Sequence, residues 1–276
     1  MTILKKYNRV HHYWISFLLL CLSGCSSAGG QPPATATAQA ERAIALATAM
    51  GRQMRATATF EAVQAQATAE ARASLLGQAS GWTLAFADSF DSDQDIWATG
   101  AEEDPELAKI EWRIAAGKYF WEAAAVSGFV WWVVPDDDPS GDFYATASVR
   151  QHGEGSVGEY GLVFRLVDND EETRYYLFEV TESQQYGVFI YQSDTGWETL
   201  LDWTETAALQ PGRSNRLAVI GQGSDFTLYI NGQSVGFVTD SRLASGKVGL
   251  LVGLSNPDER AVWEFDDFEV RFPLTE

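Results

Sequence analysis

Cysteine is almost missing from this sequence of 276 residues, which holds only Cys21 and Cys25. From Ser26 onward there is no disulfide, no zinc-thiolate site and no cysteine nucleophile, so thiol redox chemistry is excluded. Histidine is nearly as scarce, with His11, His12 and His152. A serine–histidine–aspartate triad beyond the first segment has only His152 to use, and His152 stands in a polar stretch that reads as a loop or strand end. Positive charge is short as well: 19 lysines and arginines face 38 acids, for a net charge of −19. Nucleic acid is repelled at that charge and is excluded as a partner.

What is present begins with an export signal. Lys5, Lys6 and Arg9 precede an apolar run from Tyr13 to Leu22. That run is about half the roughly 20 residues needed to cross a hydrocarbon core, so it reads as a cleaved leader. The residues that end it, Leu22-Ser23-Gly24-Cys25, resemble the lipobox of bacterial lipoproteins. The resemblance implies that the Cys25 thiol takes a diacylglycerol and that Cys25 becomes the mature N-terminus. The protein would then be extracytoplasmic and lipid-anchored to the cell membrane or outer membrane. Each buried acyl CH₂ adds about 0.8 kcal/mol, so two or three chains hold firmly. Losing the three leader cations takes the net charge from −19 to −22.

Composition divides the chain into a signal over 1–24, a short flexible tether over 25–34, a stalk over 35–80 and a domain over 81–276. The stalk is low-complexity alanine, threonine and glutamine. Alanine is the best helix former and no proline follows Pro33 there, so a long helix is predicted, weakened by its threonines. The larger apolar residues Leu46, Met50, Met54, Phe60, Val63, Leu75 and Leu76 do not sustain a heptad, which favours a spacer over a coiled coil and leaves self-association of the stalk open.

From Gly81 the texture changes to short runs rich in Val, Ile, Tyr, Phe and Trp, punctuated by Gly, Asn, Asp and Pro. These runs read as strands. Asn231-Gly232 marks a type I′ hairpin, because both central positions need positive φ. Asp194-Thr195-Gly196 marks another turn. No helix-length period interrupts the region, so an all-β fold is expected: an antiparallel two-sheet sandwich large enough to bury its own core.

The order of "DSFDSDQDIW", "GLVFRLVDNDEETRYYLFEV", "DFTLYINGQSVGFVTD", "GKVGLLVG" and "WEFDDFEV" resembles the concanavalin A-like lectin and glucanase jelly rolls. Within them it is most similar to laminin-G-like and 3-keto-disaccharide hydrolase-like domains of bacterial surface proteins. The resemblance covers about Trp82 to Phe272 and implies curved sheets whose concave face and rim hold a glycan. Fold does not carry function with it.

Three constellations could carry chemistry. Glu264, Asp266 and Glu269 fit the E-x-D-x-x-E motif of laminarinase-type glucanases, with two glutamates as nucleophile and acid/base. Retaining hydrolysis needs the two carboxyls about 5 Å apart, and a bulge at Asp266-Asp267 would put both on one face. The motif lies near the end of the sequence given, whereas the glucanases carry it mid-chain, so a non-catalytic module is the preferred reading. Asp91, Asp93 and Asp95 offer alternating hard oxygens that, with Asp266, suit a structural Ca²⁺. The motif lacks the EF-hand glycine, since Ile96 fills the sixth position. No other cofactor is expected.

A sugar-binding face needs aromatic platforms beside planar polar groups. The candidate surface is Trp132, Tyr144, Arg150, Arg165, Tyr176 and Tyr191. Alternation places Phe143, Ala145, Ala147 and Val149 inward on one strand, and Tyr160, Leu162, Phe164 and Leu166 inward on the next. Arg165 then faces outward, with Glu179 as its expected partner. The resulting functional expectation is a cell-surface module that binds extracellular or cell-wall polysaccharide. The alternatives are a glycoside hydrolase or an adhesive envelope protein that binds another protein.

Overall fold

The structure, a computed structural model, describes residues 4–5, 34–135, 141–153 and 158–273. Cys25 and the expected lipid anchor lie outside the described residues. Helix α1 spans Ala34–Ala79, 46 residues without proline. Thr57, Thr59 and Thr68 tie their hydroxyls back to the carbonyls of Gln53, Arg55 and Gln64, so the residues that weaken the helix satisfy themselves on its own backbone.

The strands in chain order are β1 (Leu4–Lys5), β2 (Thr83–Asp88), β3 (Gly100–Asp104), β4 (Ala108–Ala115), β5 (Lys118–Ala125), β6 (Phe129–Val133), β7 (Phe143–His152) and β8 (Glu159–Asp168). They continue with β9 (Thr173–Thr181), β10 (Gln185–Gln192), β11 (Gly196–Glu205), β12 (Asn215–Gln222), β13 (Asp225–Ile230), β14 (Gln233–Thr239), β15 (Lys247–Leu254) and β16 (Arg260–Phe272). Every pairing is antiparallel. One sheet runs β1-β6-β15-β8-β9-β10-β11 and the other β14-β13-β12-β7-β16-β5-β4-β3, with β2 alongside the second half of β16.

The sheets enclose one large apolar core that includes Trp263 and in which Trp112, Trp121, Trp131 and Phe265 pack edge to face or tilted. Alternation holds on β7, where Phe143, Ala145, Ala147 and Val149 all enter that core. The Asn231-Gly232 hairpin forms with both residues at positive φ, 51° and 79°. A bulge also forms in β16, where Asp267 takes φ 48° and the register slips between Asp266 and Glu269.

On β8 the expected phase holds for Tyr160, Leu162 and Phe164, which enter the main core, and fails beyond them. A bulge between Phe164 and Val167, with Arg165 at φ 50°, reverses the alternation. Leu166 is thrown to the outer face and Arg165 is turned inward, only 1% exposed, with its guanidinium 4.7 Å from the Phe226 ring centroid. Its partners are not Glu179 but the carbonyls of Leu243, Gly141 and Gly223, from three separate connections.

The last helical turns, from Ala71, belong with the sandwich as one compact unit. Leu75, Leu76 and Ala79, with Trp82, pack on Tyr144, Ala218, Ile220 and Tyr229 of the second sheet's outer face. The Tyr229 hydroxyl donates to the carbonyl of Arg72 at 2.7 Å.

Candidate functional site

An antiparallel sheet with one face on a core normally turns a polar face to water. The outer face of the β6-β15-β8-β9-β10-β11 sheet does not. Trp132, Val163, Leu166, Tyr175, Leu177, Phe189 and Leu251 form a second buried cluster there, with Tyr191, Trp197 and Trp203 half-buried against it. Tyr175 is the hub, with ring centroids 4.8 Å from Trp132, 5.5 Å from Tyr191 and 5.8 Å from Trp197. Trp203 stands 5.4 Å from Phe189.

Beside this cluster the sheet loses its side chains. Glu179 on β9 is flanked by Gly161 on β8 and Gly187 on β10, and Glu159 is opposite Gly253 on β15. Gly161 cannot carry a side chain as the backbone stands, since its Cβ would lie 1.9 Å from the Phe178 carbonyl oxygen; a Cβ on Gly187 would meet the Phe189 ring at 2.7 Å, and one on Gly253 would come within 3.2 Å of Glu159 and the Phe129 carbonyl. The result is a trough whose recess is lined by Glu159, Glu179, Trp197, Trp203 and Val130. Glu179 is 4% exposed, and Ser255 fixes Glu159 by a 2.8 Å hydrogen bond. At the other flank a cavity of about 490 Å³ opens between Trp132, Val134, Leu166, Ile96, Asp168 and Lys247.

The Tyr175 hydroxyl is buried in this cluster and has no hydrogen-bond partner among the described residues. Burial first, and then the negative charge of Glu179, raises its pKa well above the ordinary tyrosine value. An unmet buried hydroxyl costs about 1–3 kcal/mol. The face therefore combines flat aromatic rings, carboxylates in a shallow channel and an unsatisfied hydroxyl, the elements that stack on sugar CH groups and bond sugar hydroxyls.

Of the six residues expected to form a glycan surface, Trp132 and Tyr191 are on this face. The other four are elsewhere. Tyr144 lies under the helix end on the opposite sheet, and Arg150 is paired in register with Glu264 on that same sheet. Arg165 is internal, and Tyr176 enters the core, donating to Asp240 at 2.6 Å. The adjacent tryptophans do point to opposite faces, but both are buried, Trp131 in the main core and Trp132 in the outer cluster. Sequence reasoning missed Tyr175, Glu159, Glu179, Trp197 and Trp203. One signal was available: in "RYYLFEVT" the acid Glu179 is in phase with Tyr175, not with Tyr176.

The three carboxylates of β16 share the outer face of the other sheet, as the bulge allows. Each already has a nitrogen partner: His152 Nε2 is 2.7 Å from Glu264, Lys118 engages Asp266, and Arg271 Nε is 2.5 Å from Glu269. The calcium candidates do not make a donor set. Asp266 is held by Lys118, Asp91 accepts from Ser89, and Asp93 accepts from the Asp95 amide. Among the described residues no group of three or more His, Cys, Asp or Glu is placed to hold a metal.

The chain matches no protein family and no curated protein. Solved structures are similar in fold. An endo-β-galactosidase from Clostridium perfringens that releases GlcNAcα1-4Gal superposes with a TM-score of 0.51 at 12% identity, over 70% of this chain and 64% of that one. The catalytic domain of an endo-1,3-β-glucanase (laminarinase) from Thermotoga petrophila gives 0.50 at 10% identity, over 70% and 99%. The carbohydrate-binding module CBM66 from Bacillus subtilis gives 0.45 at 15% identity, over 64% and 96%. The endo-β-galactosidase and the laminarinase domain thus share with this chain the antiparallel two-sheet jelly-roll sandwich that the sequence resemblance implied.

Proposed function

We propose that this protein is a surface-displayed polysaccharide-binding module, lipid-anchored through Cys25, with the outer face of the β6–β11 sheet as its ligand platform. The observation that carries the reading is the solvent-side aromatic cluster around Tyr175, abutting a glycine-floored trough that holds Glu179. Tryptophan rings on β11 supply stacking surface, and the trough carboxylates accept hydroxyl protons from the sugar. Affinity electrophoresis against soluble β-glucans, xylans and peptidoglycan fragments tests it. A retarded band is expected, weakened about 3- to 10-fold by Trp203→Ala, the equivalent of one aromatic contact worth about 0.5–1.5 kcal/mol. No retardation on any polysaccharide would remove the proposal. The anchor has its own test: acyl labelling that persists in Cys25→Ser would sink it.

A hydrolase using Glu264 and Glu269 is supported by the shared face those residues occupy across the β16 bulge. It is disfavoured by their partners, because His152 and Arg271 already occupy the two carboxylates that a sugar would have to reach. Reducing-sugar release abolished by Glu264→Gln and Glu269→Gln would reinstate it.

A further inference from the structure

The second sheet's outer face holds a separate hollow of about 270 Å³ at the end remote from the helix turns. Its rows follow from the strand register. Lys109 on β4 and Arg260 on β16 both face Ala124 on β5, so two cations flank a single methyl group. Two residues further along, Glu111 and Glu122 are directly opposite each other, and Val262 and His152 complete that row. Neighbouring strands are about 4.8 Å apart and alternate residues about 6.8 Å, so the cationic row and the acidic row border one small basin.

Two features separate this basin from an ordinary solvated face. Directly opposed like charges destabilise a sheet, and Glu111 with Glu122 is such a pair. Next along the same strands, Glu264, Asp266 and Glu269 are each engaged by a nitrogen of His152, Lys118 or Arg271, whereas Lys109, Arg260, Glu111 and Glu122 make no ion pair among the described residues. Two cations and two carboxylates thus converge on a floor of Ala124 and Val262 without cancelling one another. A ligand of one sign would meet repulsion from half the lining. A neutral zwitterion meets attraction from both halves.

We propose that this hollow binds a small zwitterion of amino-acid size, its carboxylate between Lys109 and Arg260 and its ammonium between Glu111 and Glu122. The volume is just below the range of about 300–1,000 Å³ usual for ligand pockets, which sets the size limit. The site is distinct from the glycan platform, on the opposite sheet, and stands or falls without it.

Calorimetric titration of the full chain with L-alanine, propionate and ethylamine tests the assignment. L-Alanine is expected to saturate one site, with propionate and ethylamine each at least about tenfold weaker, and its affinity to fall with added salt because the four side chains are exposed. Glu122→Gln and Arg260→Gln should each weaken L-alanine about tenfold, one lost charge contact worth about 1.4 kcal/mol, and Trp203→Ala should leave it unchanged. Both variants alter exposed side chains, and an unshifted melting temperature confirms that they fold. Absent saturation by L-alanine, equal binding of all three probes, or unchanged affinity in both charge variants would overturn the proposal.

Discussion

Replacing Arg165 with methionine is expected to destabilise the sandwich by about 3 kcal/mol. The guanidinium donates to the carbonyls of Leu243 at 2.6 Å, Gly141 at 2.9 Å and Gly223 at 2.5 Å, and so ties three connections to the β8 bulge. A hydrogen bond from a charged donor is worth about 1.5–3 kcal/mol. Against their sum stands the several kcal/mol needed to take a cation out of water. Burial lowers the Arg165 pKa for the same reason, with Tyr176 and Asp142 pulling it back. Methionine keeps apolar contact over Phe226 but leaves three acceptors unmet, which puts the net loss at the low end of the roughly 3–5 kcal/mol seen when a buried charged contact is broken. For a domain of this size the melting temperature should fall by about 6–12 °C. Urea unfolding followed by near-ultraviolet circular dichroism measures it. A loss below about 1 kcal/mol would refute the clamp. Arg165→Lys should forfeit at least half, since a point-like ammonium does not span three diverging carbonyls. Polysaccharide binding by the folded methionine variant should be unaltered, which separates this structural role from a glycan contact.

Gly161→Ala should prevent soluble expression, because its Cβ would meet a strand carbonyl at 1.9 Å and backbone cannot step aside as a flexible side chain can. Tyr229→Phe should cost about 1 kcal/mol by removing the hydroxyl bonded to Arg72, read as a lower midpoint in urea. Alkali should unfold the domain steeply. Unfolded tyrosines ionise near 10, whereas burial holds Tyr229 up to about 12 against the pull of Arg72, and Tyr160 and Tyr175 are raised too. The unfolded state sheds those protons first, so stability falls as pH rises from 10 to 12. Absorbance at the tyrosinate band should rise together with loss of near-ultraviolet dichroism, and separate transitions would contradict the burial argument.

What the sequence revealed depended on whether a local rule governed the residue. Asn231-Gly232 was legible because positive φ is a property of those two residues alone. The β16 bulge was legible because the apolar phase visibly slips between Phe265 and Phe268. The β8 bulge leaves no such trace: Val163, Phe164, Leu166 and Val167 surround Arg165 with apolar residues in both phases, so strict alternation looked intact and put Arg165 outside. The outer aromatic face was half legible for a related reason. Tyr175 and Tyr176 are the same residue type, and within β9 only the phase they share with Glu179 or with Phe178 separates them; cross-strand neighbours then bring Tyr175 to Trp132. Trp197 and Trp203 join the cluster through their pairing with β10, a contact no period within β11 announces.

The strand order carries a kinetic consequence. In each sheet the earlier strands meet the middle ones only through a late arrival: β15 inserts between β6 and β8, and β16 between β5 and β7. Until Lys247–Phe272 has been delivered, β3–β6 and β7–β14 have no shared ladder, and both halves present unpaired edges. Contacts of such long sequence separation slow folding and prolong the exposure of those edges. The nascent domain therefore carries open edges up to β16, and premature termination within β16 should yield aggregation-prone halves rather than a loosened sandwich.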